Sequence, residues 1–183
     1  PLLIYTLLRM HYTGLQDAVE ILKNQWNSVQ GWFCHFFFVE NQFKKLQMGC
    51  PMAGLQALEV FSLFPKLHNS ACVQHAFQTL QFHREHGKSV YYFGRSKKFW
   101  TLKYPFVWYN ALYLAEVLTR FDAFKSTPLV RELVDWIESS PDNDGRFTPT
   151  SMFMIYKGWD FDKKQPSPWM TYVCCNILKR YYG

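Results

Sequence analysis

The amino-acid sequence predicts an all-helical protein made of three similar helical units. Three amphipathic stretches carry apolar residues at helical spacing, over residues 15–30, 71–86 and 129–139. Each stretch is followed by a glycine that has an aromatic residue close behind it, at Gly31, Gly87 and Gly145. A glycine just past a helix adopts a positive φ at little cost, so these glycines indicate helix ends. No part of the sequence indicates the strands of a sheet.

A second helix in each unit is predicted to start at a proline, at Pro51, Pro105 and Pro168. Proline suits the first turn of a helix, where its missing N–H leaves no hydrogen bond unmade. The apolar positions that follow have helical spacing: Leu55, Leu58 and Phe61, then Ala111, Leu114, Ala115 and Leu118, then Trp169, Val173 and Ile177. The units therefore cover residues 13–65, 66–124 and 125–183 of a single repeat domain.

The composition indicates a thick aromatic core or a cavity lined by rings. Of the 183 residues 49% are apolar and 19% are aromatic. The net charge is +6, with basic residues concentrated between Arg84 and Lys103. Such an excess attracts phosphate, but no nucleic-acid motif accompanies it, so we expect no nucleic-acid partner. The apolar run Leu2–Leu8 is too short to span a membrane, so we expect no transmembrane segment.

The five cysteines are odd in number, and their spacing fits no disulfide framework. Because no signal peptide is evident either, this pattern predicts a reducing, cytoplasmic environment. The chain opens with Pro1 inside an apolar run, which resembles the middle of a helix. We therefore expect the sequence to be a fragment of a longer protein.

Two of the glycine turns resemble a known repeat signature. Gln25 followed by Gly31-Trp32, and the run Asp144-Gly145-Arg146-Phe147, are similar to the Gln…Gly-x-Trp signature of squalene cyclases and protein prenyltransferase β-subunits. The chain thus resembles the terpenoid cyclase and protein prenyltransferase superfamily. Within it, the runs at 92–94, 99–109 and 157–161 are most similar to prokaryotic prenyltransferase-like, squalene-cyclase-like proteins of no established activity.

The resemblance implies an α/α toroid, in which helix pairs close into a double-walled barrel. About three helix pairs would form only part of that barrel and would leave apolar edges open. We therefore expect remaining N-terminal repeats, or another subunit, to cover the open edge.

The catalytic motifs of that superfamily are incomplete in this sequence. Its cyclases protonate an alkene with an Asp-x-Asp-Asp motif, and the nearest match is Asp160-Phe161-Asp162-Lys163. The lysine would keep the carboxylates ionised rather than let one supply a proton. Asp160 and Asp162 are therefore only alternative catalytic candidates, for a cyclase or a prenyl transfer enzyme, and they could instead hold Mg²⁺ beside a diphosphate.

The zinc site that the prenyltransferases need is not evident, because the Asp-x-Cys motif is missing. Cys34 and Cys50 flank the first long loop and are the alternative metal candidates. Cys72 with His75, and His83 with His86, lie one helical turn apart, but none of these sets is complete. The expectation is therefore no bound cofactor, with Mg²⁺ or Zn²⁺ as alternatives.

Aromatic and basic residues cluster in the second and third long loops and at the helix starts that follow them. In the related toroids such loops surround a cavity for an isoprenoid, with basic side chains near the mouth. The resemblance implies ligand binding by Tyr91, Tyr92, Arg95, Lys98, Trp100, Tyr104, Trp108, Tyr109, Trp159 and Trp169. Rings supply apolar contact, and Arg and Lys pair with phosphate. The expected function is binding of a hydrophobic ligand, isoprenoid-like and with or without phosphate; the alternatives are the enzymes above or a protein-interaction scaffold.

Overall fold

The computed structural model describes residues 1–28, 31–32, 49–86, 93–94, 96–162 and 164–183. Within these ranges the chain is all-helical, as the sequence predicts, with eight α-helices, three short 3₁₀ helices and no strand. The chain divides into two compact units, Pro1–Phe93 and Gly94–Gly183. The assembly of the helices into part of a barrel stays a prediction.

The first unit contains four α-helices: α1 (Leu2–Arg9), α2 (Gln16–Asn24), α3 (Pro51–Phe61) and α4 (Ala71–His86). Helix α3 packs against α4 and also against α1. Leu55, Leu58 and Phe61 are fully buried, as their helical spacing predicts. Removing these side chains from water is the main stabilising contribution in this unit.

The predicted turn at Gly31 is present, and the residue after it contacts both α2 and α3. Gly31 has a φ of +69°, which a glycine adopts without steric cost. Asn27 and Gly31 exchange backbone hydrogen bonds of 3.1 and 2.6 Å, so the chain turns early and α2 ends at Asn24 rather than near residue 30. The indole of Trp32 then donates a 2.8 Å hydrogen bond to the carbonyl of Leu22 and packs against Phe61.

The second unit contains the other four: α5 (Ala111–Leu118), α6 (Asp122–Lys125), α7 (Pro128–Glu138) and α8 (Pro168–Tyr182). Helix α7 packs against α5, α6 and α8, and α5 also packs against α8. Leu114, Leu133 and Ile177 are fully buried between these helices. Pro51 and Pro168 each occupy the first turn of their helix, as the sequence predicts.

The helix expected from Pro105 begins six residues later, at Ala111. Asn110 precedes it in an extended conformation, and its side-chain oxygen accepts a 2.8 Å hydrogen bond from the amide of Tyr113. This cap satisfies an amide that the helix itself leaves unpaired, so it fixes the helix start. Gly145 has the predicted positive φ, +75°, whereas Gly87 lies outside the described residues.

A partly buried charge cluster joins α5 to α8. Arg120 and Arg180 both bond to the largely buried carboxylate of Glu116. Arg180 also donates to the backbone carbonyl of Glu116 at 3.3 Å. Because α8 carries Trp169 at its other end, this cluster helps to set where that ring lies.

None of the described helices is long and apolar enough to cross a bilayer.

Candidate ligand-binding surface

Tyr104 lies at the centre of a cluster of rings in the second unit. Its ring makes edge contacts with Phe106, Phe161 and Trp169, at centroid distances of 5.1, 5.0 and 5.4 Å. These distances lie in the range that favours aromatic pairs. Two of the predicted ligand residues, Tyr104 and Trp169, are therefore in direct contact.

The ring cluster extends in both directions from Tyr104. Trp169 contacts Tyr172 at 5.6 Å on one side, and Phe161 stacks on Trp159 at 5.8 Å on the other. We call these six residues the aromatic surface: Tyr104, Phe106, Trp159, Phe161, Trp169 and Tyr172. Phe161 is buried, but Trp169 is 40% exposed and Trp159 is 61% exposed. The aromatic surface therefore contains a buried ring, Phe161, and solvent-exposed rings at its edges.

The start of α8 places Trp169 on this surface. The hydroxyl of Ser167 accepts a 3.0 Å hydrogen bond from the amide of Met170 and donates its own proton to the Asp160 carboxylate. The same carboxylate oxygen accepts a 3.0 Å hydrogen bond from the amide of Trp169. A serine cap and a carboxylate at a helix N-terminus both stabilise it, so the sequence around Pro168 determines where the indole points.

The two aspartates considered for catalysis have defined partners in this arrangement. Asp160 bonds to Ser167 and to the first turn of α8, and Asp162 accepts a hydrogen bond from the amide of Gly158. These contacts fit the stabilisation of a loop and a helix end. A role for either carboxylate in acid catalysis or Mg²⁺ binding stays a prediction.

Lys103 directly precedes Tyr104 of the aromatic surface and interacts electrostatically with Lys98. The ammonium nitrogen of Lys103 is 3.6 Å from the centroid of the Phe153 ring, an aromatic–cation contact. Partial burial lowers the pKa of Lys103, and the positive charge of Lys98 lowers it further. Two ammonium groups that repel each other would both be stabilised by one anionic group.

The remaining predicted ligand residues have other neighbours. Trp100 packs edge-on against Phe99 and, at 5.6 Å, against Trp136 of α7. Trp108 lies 5.1 Å from Tyr109, with Trp108 exposed and Tyr109 buried. The predicted ligand residues Tyr91, Tyr92 and Arg95 lie outside the described residues.

Sequence reasoning missed three members of the aromatic surface: Phe106, Phe161 and Tyr172. Tyr172 follows Trp169 by three residues on α8, and residues at that spacing share one face of a helix. That spacing could have identified Tyr172 as a neighbour of Trp169 from the sequence alone. Phe161 lies within the Asp-x-Asp run and the 157–161 run of the sequence, and nothing in the local sequence places it against Tyr104.

The metal candidates are only partly described. Cys34 lies outside the described residues, and Cys50 is buried just before α3. The ring of His83 bonds to the carbonyl of Gly49 at 2.8 Å, and Cys72 lies 3.2 Å from the Ser70 hydroxyl. In the part of the chain that the structure describes, no three His, Cys, Asp or Glu residues are grouped in a way that could hold a metal.

The first unit has an apolar groove of its own. The groove encloses about 450 Å³ between α2 and the segment that follows α3, and it is lined by Gln16, Val19, Glu20, Leu63, Phe64, Pro65, Lys66 and Leu67. A second concavity shares Leu63 and Phe64 and reaches the end of α1. This groove is the feature that favours the interaction-scaffold hypothesis.

The chain was also compared with models of protein families, with curated proteins and with solved structures. It shows no match in any of the three comparisons.

Proposed function

We propose that this chain is a prenyltransferase-like or squalene-cyclase-like repeat domain that binds a hydrophobic, isoprenoid-like ligand. The observation that carries the proposal is the aromatic surface, in which exposed Trp159, Trp169 and Tyr172 are joined through Tyr104 and Phe161. Exposed apolar rings gain free energy when a hydrocarbon chain covers them. Because the inner rings already support one another, little side-chain freedom is lost on binding.

The pair of Lys103 and Lys98 supports a ligand with an anionic end. Lys103 has a lowered pKa and lies close enough to Lys98 for the two charges to repel. A phosphate beside both ammonium groups would relieve that repulsion and form charge-assisted hydrogen bonds. The proposed ligand therefore places its hydrocarbon on the rings and its anionic group near the lysines.

The proposal also covers the arrangement of the helices. We propose that the helix pairs form part of an α/α toroid, whose open edge is covered by further repeats or by another subunit. The packing of α3 against α4, and of α7 against α5 and α8, supplies helix pairs of the kind such a barrel needs. Three of the described cysteines, Cys72, Cys174 and Cys175, are free thiols, which supports the proposed reducing, cytoplasmic environment.

Calorimetric titration with farnesol and with farnesyl diphosphate tests the proposal. We expect saturable binding of both, with the diphosphate bound more tightly and its advantage reduced by added salt. Trp169→Ala should weaken both ligands, because it removes the ring that joins Tyr104 to Tyr172. Absence of saturable binding, or equal affinity in wild type and Trp169→Ala, would refute the proposal.

A further inference from the structure

The segment after Phe153 presents apolar side chains to solvent at one site. It forms a 3₁₀ helix, Met154–Tyr156, followed by a turn at Gly158 with a φ of +102°. Ile155 is 82% exposed, and Met154 and Trp159 are also exposed. We call residues 154–159 the apolar tip. Large apolar side chains that are grouped and exposed in this way indicate an interaction surface.

The apolar tip is held in place by the second unit. The amide of Tyr156 bonds to the carbonyl of Phe153 at 2.9 Å, and the amide of Trp159 bonds to the carbonyl of Tyr156 at 3.2 Å. The carboxylate of Asp162 accepts a hydrogen bond from Gly158, and the rings of Tyr156 and Trp159 pack on Phe161. Contacts that fix the tip in advance reduce the entropy lost when its side chains become buried.

The described charges around the apolar tip have a small positive excess, with three lysines against two aspartates. Lys157 lies within it and is exposed, Lys164 is exposed shortly after it, and Lys103 contacts the ring of Phe153 just before it. The nearby carboxylates of Asp160 and Asp162 already accept hydrogen bonds from the protein. This side of the unit is therefore complementary to a negatively charged surface.

We propose that the apolar tip inserts into the interface of an anionic lipid bilayer. Ile155, Met154 and Trp159 enter the boundary between headgroups and acyl chains, and Lys157 and Lys164 contact the lipid phosphates. Aliphatic and indole side chains flanked by lysines have the chemistry that this boundary favours. A bilayer fits better than a protein partner, because lysines flank exposed aliphatic and indole side chains at one short segment. The proposal shares Trp159 with the aromatic surface, but the observation that carries it is the exposure of Ile155 and Met154.

Co-sedimentation with vesicles tests the proposal, using phosphatidylcholine alone and a mixture of phosphatidylcholine with phosphatidylglycerol. Wild type should bind the mixed vesicles and bind pure phosphatidylcholine much more weakly. Ile155→Asp should reduce binding to the mixed vesicles about tenfold or more, because it places a charge where the apolar side chain inserts. Lys157→Glu should also weaken binding, by opposing the anionic lipid.

The matched control is Ile21→Asp, which makes the same change at an isoleucine of the first unit that is 58% exposed. It should leave vesicle binding unchanged. Equal binding by wild type and Ile155→Asp, equal loss in Ile21→Asp, or no binding of wild type to the mixed vesicles would each overturn the proposal. Farnesol titration of Ile155→Asp separates the two proposals, since ligand binding should survive the substitution whether or not the vesicles bind.

Discussion

Replacing Tyr172 by alanine removes one outer ring of the aromatic surface while sparing the core, since the residue is 59% exposed. Its ring contacts Trp169, and its helix, α8, is secured by the cap at Ser167 and by Arg180. Alanine favours a helix more than tyrosine does. We therefore expect Tyr172→Ala to fold normally and to lose ligand affinity.

The size of the loss follows from the exposed area. A tyrosine contributes about 200 Å² of surface, so its 59% exposure leaves about 120 Å² in contact with water. A ligand that covers half of that area removes about 60 Å² from water, worth about 1.5 kcal/mol at about 25 cal/mol/Å². Tyr172→Ala should therefore raise the Kd for farnesol about tenfold.

The assay is calorimetric titration of farnesol into wild type and two variants. The control is Tyr12→Ala, because Tyr12 is also 59% exposed but belongs to the first unit. The control should bind farnesol as tightly as wild type. An unchanged Kd in Tyr172→Ala, or the same loss in Tyr12→Ala, would refute the assignment of the ligand to this surface.

Four further substitutions test stability and charge in the second unit. Glu116→Gln should lower the free energy of unfolding by about 2 kcal/mol in urea titrations, because it leaves two arginines without their carboxylate. Asp122→Asn, which removes an exposed ion pair, should cost less than about 1 kcal/mol. Ser167→Ala should lower the free energy of unfolding by about 1 kcal/mol through loss of the α8 cap, with thermal unfolding as the readout. Lys98→Ala should raise the pKa of Lys103 in lysine-resolved NMR titrations, and a pKa that does not rise would contradict the charge coupling.

The lowered pKa of Lys103 also predicts a pH dependence of stability. Because the folded protein binds this proton less tightly than the unfolded chain, the unfolded state holds more protons between the lowered pKa and the ordinary one. Stability should therefore increase as the pH rises through that window. Lys98→Ala should reduce the increase, since it removes one cause of the shift.

Helical periodicity predicted helices in both units, and its largest error was at α2, which ends at Asn24 rather than near residue 30. It predicted α4 over the residues where the structure has it, 71–86, because a long amphipathic pattern is a strong signal. The proline signal was correct at Pro51 and wrong at Pro105, where the competing cap at Asn110 fixes the helix start. A side-chain cap depends on one local hydrogen bond, which apolar periodicity does not contain.

The sequence predicted several residues of the candidate site, but it did not predict which of them contact one another. Tyr104, Trp159 and Trp169 were identified from the sequence as ligand residues, and the structure joins them through ring contacts. The linking residue, Phe161, was missed because Tyr104 meets it through tertiary packing over a long sequence separation. Exposure of the apolar tip was missed for the same reason, since it depends on what the rest of the unit leaves uncovered.

The most direct test of the proposed ligand site observes the indole N–H groups of the seven tryptophans during a farnesol titration. These signals can be resolved by ¹⁵N-labelling and assigned with single Trp→Phe variants. We predict that the indole resonances of Trp159 and Trp169 shift together and saturate at one Kd. The indole of Trp32, which bonds to the carbonyl of Leu22 in the first unit, should not shift. Shifts confined to Trp32, or unchanged signals from Trp159 and Trp169 at saturating ligand, would contradict the account.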